Sequence, residues 1–167
     1  MAFTAAVEKA RQEALAQANN SAGNGFQGDV RVFDLTSLEK GDKVKIEFNN
    51  EDVINQKMGE REVDGKKEPI IAQYIVLQTE GGKVVNFYPS VFTKARKVYN
   101  ADGTPTSLWA RTGGTAAAEY KKHESVQEAM EALKGRTIEV TDSVSVHTKA
   151  YGRNEFVDTN ILTIDLV

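Results

Sequence analysis

Cysteine is absent from all 167 residues, which excludes disulfides, thiol nucleophiles and cysteine-ligated metal. No run approaches the ~18 consecutive apolar residues of a bilayer-spanning helix, so no membrane partner is expected. The opening stretch Met1 to Lys9 reaches Glu8 early. It lacks the basic start and long apolar core of a secretion leader. Together these absences lead to the expectation of a cytoplasmic protein. There are only two histidines, His123 and His147, and neither sits in a spacing that specifies a metal site. The glycine pairs Gly81-Gly82 and Gly113-Gly114 lack the lysine and spacing of a phosphate loop. No serine stands in a nucleophile elbow. Glu60, Glu62 and Asp64 alternate in a charged stretch, as solvating side chains do. The chain is therefore expected to be no enzyme and to need no metal or other cofactor.

What is present is an ordinary folded domain's composition, 40% hydrophobic and 27% charged, carried by an uneven charge pattern. The net charge of -3 gives the whole molecule no electrostatic footprint for nucleic acid. The segment 81–123 is different. It holds Lys83, Lys94, Arg96, Lys97, Arg111, Lys121 and Lys122 against Asp102 and Glu119. A basic middle between two acidic flanks points to a local anionic partner.

Hydrophobic periodicity sets the expected elements. Phe3, Val7, Ala10, Ala14 and Ala18 form one stripe on a helix over 2–19. The stripe is mostly alanine, and a polar linker follows. Residues 1–24 are therefore expected to be a helical arm and linker, with 25–167 as a single β-barrel domain. A short strand is expected over 30–34, and the alternation Val44, Ile46, Phe48 predicts another over 43–48. The charged stretch 49–68 reads as an exposed β-ribbon or a loop, with Asp64-Gly65 as its turn. Ile70 to Thr79 is the most apolar strand, and Gly81-Gly82 turns it into a strand ending at Tyr88. Pro89 suits the first turn of a short helix over 89–97. Residues 106–123 show no period and are expected as a flexible excursion. Ser125 and Glu128 predict a capping box for a helix over 126–134, with Gly135 at its C-terminal cap. Strands over 136–148 and 156–166 close the chain, joined by a turn at Tyr151 to Asn154.

With the excursions collapsed, the order is strand, strand, strand, helix, strand, strand, over about residues 41–167. That order resembles the OB-fold, a five-stranded Greek-key barrel with a helix between strands three and four. The implied fold class is α+β: mainly β with helices, an OB-like five-stranded Greek-key barrel preceded by an N-terminal helix. The long connection 89–135 departs from that pattern. The resemblance to OB-fold single-strand binders implies a partner, single-stranded DNA, held by cations for phosphates and aromatics for base stacking. On this chain the cations would be Lys94, Arg96, Lys97, Arg111, Lys149 and Arg153, and the stacking rings Tyr88, Trp109 and Tyr151. With Val85 and Phe87 inward, Tyr88 is expected to face outward. The implied role is a replication or recombination accessory of a phage or mobile element, with little sequence preference. A rival expectation is a structural or assembly protein, such as a virion component, that forms homo-oligomers through its N-terminal helix.

Overall fold

The computed structural model describes residues 4–17, 38–150 and 155–167. The expected strand over 30–34 and the turn at 151–154 lie outside the described residues. Among those described are three helices, α1 (Ala5–Gln17), α2 (Thr115–Lys121) and α3 (Val126–Leu133). There are eight strands: β1 (Lys43–Lys45), β2 (Ile54–Val63), β3 (Lys66–Gln78), β4 (Val84–Phe87), β5 (Ala95–Tyr99), β6 (Pro105–Arg111), β7 (Thr137–Lys149) and β8 (Phe156–Leu166). The fold is mainly β with helices, an α+β chain. Its strands form antiparallel sheets β1-β7-β8, β2-β3-β4 and β5-β6, none of them closed. Two isolated bridges link them: Val44 to Thr79, antiparallel, and Gly113 to Thr163, parallel.

Turn chemistry behaves as the residues dictate. Asp64 and Gly65 both adopt positive φ, 51° and 76°, as a two-residue primed turn requires. They close β2 onto β3, so the charged stretch is a ribbon. Ser125 Oγ accepts from the Glu128 amide at 3.1 Å, and Gly135 turns the chain out of α3 at φ 81°. The 43–48 alternation also holds: Val44, Ile46 and Phe48 are all buried. Only 43–45 lie in the ladder, and Ile46 continues by exchanging hydrogen bonds with Arg136 and Gly135.

Two expectations are corrected. Residues 89–97 are not one helix. Pro89–Thr93 makes a single 3-10 turn, and Ala95–Tyr99 extends as β5. Residues 106–123 are not a flexible excursion but β6 followed by α2. Their lack of period has a physical cause. β6 is exposed along most of its length, so neither face selects apolar side chains. A seven-residue helix is too short to display a stripe.

The core has two compartments. The main one gathers Val44, Ile46, Phe48, Ile75, Leu77, Val85, Phe87, Phe92, Met130, Leu133, Ile138, Leu162 and Ile164 among others. The second gathers Val7 of α1 with Ile54, Ala72, Tyr74, Val76 and Tyr88. Alternate residues of β3 feed different compartments, which is why its apolar run is continuous rather than alternating. The helix α1 lies on the sheet rather than standing off as an arm. Val7 is buried, and Arg11, also buried, donates to the Val76 carbonyl at 3.3 Å. Thr4 caps α1 by accepting from the Val7 amide and donates to Gln78 Oε1 at 2.7 Å.

Two measurements check this packing. At Gly114, φ is 100° and an added Cβ would fall 2.1 Å from the Ile164 carbonyl oxygen. Gly114→Ala should cost roughly 3 kcal/mol or more through strain and overpacking. Gly135→Ala, at φ 81° with open space around it, should cost only about 1 kcal/mol of backbone strain. Equal losses in denaturant unfolding would disprove the close approach. Burial also pushes the Tyr120 and Tyr88 hydroxyls up to about 12, Tyr88 with a smaller contribution from Tyr74. Folding thus favours the neutral phenols. Their contribution is intact below pH ~10 and is lost as pH rises toward 12. The melting temperature should fall across that window, with part of the tyrosinate absorbance appearing only on unfolding.

Candidate nucleic-acid interface

The middle of the basic segment folds into the β5-β6 hairpin, whose position is fixed from several sides. The Thr112 amide donates to the Lys94 carbonyl at 3.0 Å, and its hydroxyl donates to Val91 O at 2.7 Å. The next residue, Gly113, donates to Leu162 O and accepts from the Ile164 amide. From the other side, Thr148 of β7 donates its hydroxyl to Lys97 O at 2.8 Å. The hairpin therefore rests across the outer end of β7-β8.

Two expected site residues are inside the protein. Tyr88 is 8% exposed, packs against Tyr74 at 4.9 Å between centroids and donates to Gln56 Oε1. Alternation along β4 does send it away from Phe87, but α1 and β2 cover that face. Its ring is closed to a base. Lys94 is 3% exposed. Its Nζ donates to Thr159 Oγ1 at 2.6 Å and to Asn160 O at 2.9 Å. It is a clamp between the start of β5 and β8, not a phosphate ligand.

The others remain at the surface in different degrees. Trp109 is 56% exposed on β6, and the Arg111 guanidinium carbon stands 5.6 Å from its ring centroid. Register places Lys97 opposite Trp109 and Ala95 opposite Arg111, so Lys97, Trp109 and Arg111 share one face of the hairpin. Arg96 is half-buried and donates to the Ala95 carbonyl at 2.7 Å. Lys149 is exposed at the end of β7, opposite Phe156. Tyr151 and Arg153 lie outside the described residues.

Two rings, His147 and Phe156, were missed in reading the sequence for a site. Tyr99 meets Phe156 edge-on at 5.3 Å, and His147 stacks on Phe156 at 5.5 Å and 18°. His147 Nδ1 is 2.9 Å from Asp158 Oδ1. Phe156 is 42% exposed. The turn of the basic hairpin closes on this group, since a Cβ at Gly103 would stand 3.3 Å from the Phe156 ring. The signal was the hairpin register, which puts His147 and Phe156 diagonally on one face. It could not be drawn from residue type alone.

The assembled surface offers cations for phosphates and exposed rings for bases. Its acids are Asp102, Glu155 and Asp158. Asp102 is occupied: the Thr104 hydroxyl and amide donate to it and hold its carboxyl below the usual carboxylate range. The chain matches no protein-family model, no curated protein and no solved structure.

The clamp can be tested by itself. Lys94→Met retains most of the aliphatic stem while leaving the Asn160 carbonyl without that donor. It should destabilise the fold by about 1–3 kcal/mol, read as a lower denaturant midpoint. An unchanged midpoint would mean that the lysine carries no structural load.

Proposed function

We propose that the protein binds single-stranded DNA with little sequence preference, along the β5-β6 hairpin and the adjoining end of β7-β8. The observation that carries this reading is Trp109. A tryptophan more than half exposed, with Lys97 across the ladder and Arg111 at its ring, is not accounted for by packing among the described residues. A base stacking on that ring, with its phosphates on the flanking cations, does account for it. Arg111 and Lys149 supply charge from exposed positions, and Lys97 and Arg96 from half-buried ones. Ring stacking and phosphate contacts carry no base identity, which is why little sequence preference is expected.

An OB-like arrangement is part of the same reading. In its favour, β1 lies between β7 and the end of β3, β3 pairs with β4, and β7 pairs with β8. The parallel bridge from Gly113 to Thr163 joins the chain after β6 to β8, where a Greek-key barrel would close. The hairpin and α2 are then insertions ahead of α3. Assembly through the N-terminal helix is the weaker alternative. The apolar stripe of α1 is used against its own sheet, with Val7 buried there and Ala10, Ala14 and Leu15 packed beside it.

Trp109 is the sole tryptophan, so its fluorescence reports the site directly. Titration with an oligothymidylate near 50 mM salt should quench it. Log affinity should fall with log salt at a slope of about -2 to -3, for three or four phosphate contacts at roughly -0.7 each. Trp109→Ala should cost about 1–3 kcal/mol of affinity. Absence of both quenching and an anisotropy change on a labelled oligonucleotide would remove the reading.

A further inference from the structure

We infer that His147, Phe156 and Tyr99 form a second base-stacking step, which receives an unpaired base next to the one on Trp109. This rests on the single-strand reading above and extends its site beyond the basic segment.

The argument starts from exposure. Phe156 is 42% exposed and Val157 beside it 41%, at the end of a hairpin where the neighbouring residues are polar. Packing explains the inner contacts of the group: Tyr99 at the Phe156 edge and the Gly103 turn against its ring. It does not explain His147. That imidazole lies nearly parallel to Phe156, yet its side chain keeps 32% exposure. Part of that side chain therefore stays open to solvent beside the ring pair, and a planar group laid there would continue a stack already two rings deep. Asp158 holds Nδ1 and fixes the ring plane, so little rotamer freedom is lost when a base arrives.

Charge decides what goes where. Lys97, Trp109 and Arg111 share a hairpin face that carries two cations. The His147–Phe156 group has Lys149 directly across the ladder from Phe156, and Asp158 directly across from His147. Glu155 precedes Phe156. Among the described residues this end therefore has one lysine against two acids, whereas the hairpin face has two cations, and phosphates are favoured over the hairpin. A planar, uncharged base is what the second step can take. Tyr99, which meets the Phe156 edge, and Gly103, whose turn lies against that ring, belong to the same hairpin as Trp109, so one strand is proposed to run from one step to the other.

Stacking and charge neutralisation leave different signatures, which the test uses. His147→Gln keeps a polar group toward Asp158 without a ring, and Phe156→Leu keeps apolar packing without an aromatic face. Each should weaken binding of a twelve-residue oligothymidylate by about fivefold or more, the lower end of a lost base stack, and leave the salt slope unchanged. Lys97→Gln, by contrast, should reduce the slope by roughly 0.7. An oligonucleotide of the same length with abasic positions throughout should bind the wild type and His147→Gln equally. Photocrosslinking with 5-iodouracil should join the strand to peptides containing Trp109 and, separately, to those containing Phe156. Folding is checked by the melting temperature of each variant. Folded variants with full affinity, or a lowered slope in His147→Gln, would overturn the second step while Trp109 quenching keeps the binding reading. If the wild type does not bind at all, both fail together, and the Trp109 signal distinguishes that result.

Discussion

The position of the basic hairpin depends on a four-residue joint, Thr112 to Thr115. Here the chain leaves β6, touches β8 and enters α2. Gly113 exchanges two backbone hydrogen bonds with β8. Gly114 passes so close to the Ile164 carbonyl that no side chain fits. The Thr115 amide then donates to Asp165 at 2.8 Å, while its hydroxyl accepts from the Leu166 amide. The Thr115 amide and the Thr141 hydroxyl hold the Asp165 carboxyl below the usual carboxylate range. Beyond this joint, the hairpin is held by the Lys94 clamp, the Thr148 hydrogen bond and the contacts of Tyr99 and the Gly103 turn with Phe156.

The same economy governs the centre of the fold. β3 is one strand serving two compartments, with Ile75 and Leu77 on one side and Ala72, Tyr74 and Val76 on the other. A sheet covered on both faces cannot present a ring to solvent from its middle. Tyr88 pays for that arrangement by losing its expected role, and the chain's exposed rings move to the periphery. Two buried polar side chains on opposite sides of β3 find partners. Gln73 donates to Asn55 at 2.6 Å across the ladder, and Tyr88 donates to Gln56, as burial of such groups demands.

Global and local electrostatics point in opposite directions here. The molecule is acidic at -3, which slows encounter with a polyanion at long range. Screening at physiological salt limits that effect to within about 8 Å. What a bound strand feels is the hairpin face with Lys97 and Arg111, where acids are few or already occupied by hydrogen bonds. Binding of this kind depends strongly on salt and owes a large share of its strength to ring contacts, which salt does not screen.

The sequence by itself determined every feature whose cause is local. Asp64-Gly65 and Gly81-Gly82 specified their turns, Ser125 specified the start of α3, and the alternation of Val44, Ile46 and Phe48 specified a buried face. The absence of cysteine and the basic character of 81–123 also needed no structure. Tertiary structure alone decided which side chains of the basic segment are available. Lys94 and Lys97 are three residues apart and chemically identical, yet one is enclosed by β8 and the other faces a tryptophan. Tyr88 follows directly on β4 and Trp109 lies in β6, yet α1 covers the first and nothing in the described residues covers the second. Periodicity states which face of a strand a residue occupies. Only the packing of distant segments decides whether that face meets water, and His147 and Phe156 come together only because β7 and β8 pair in register.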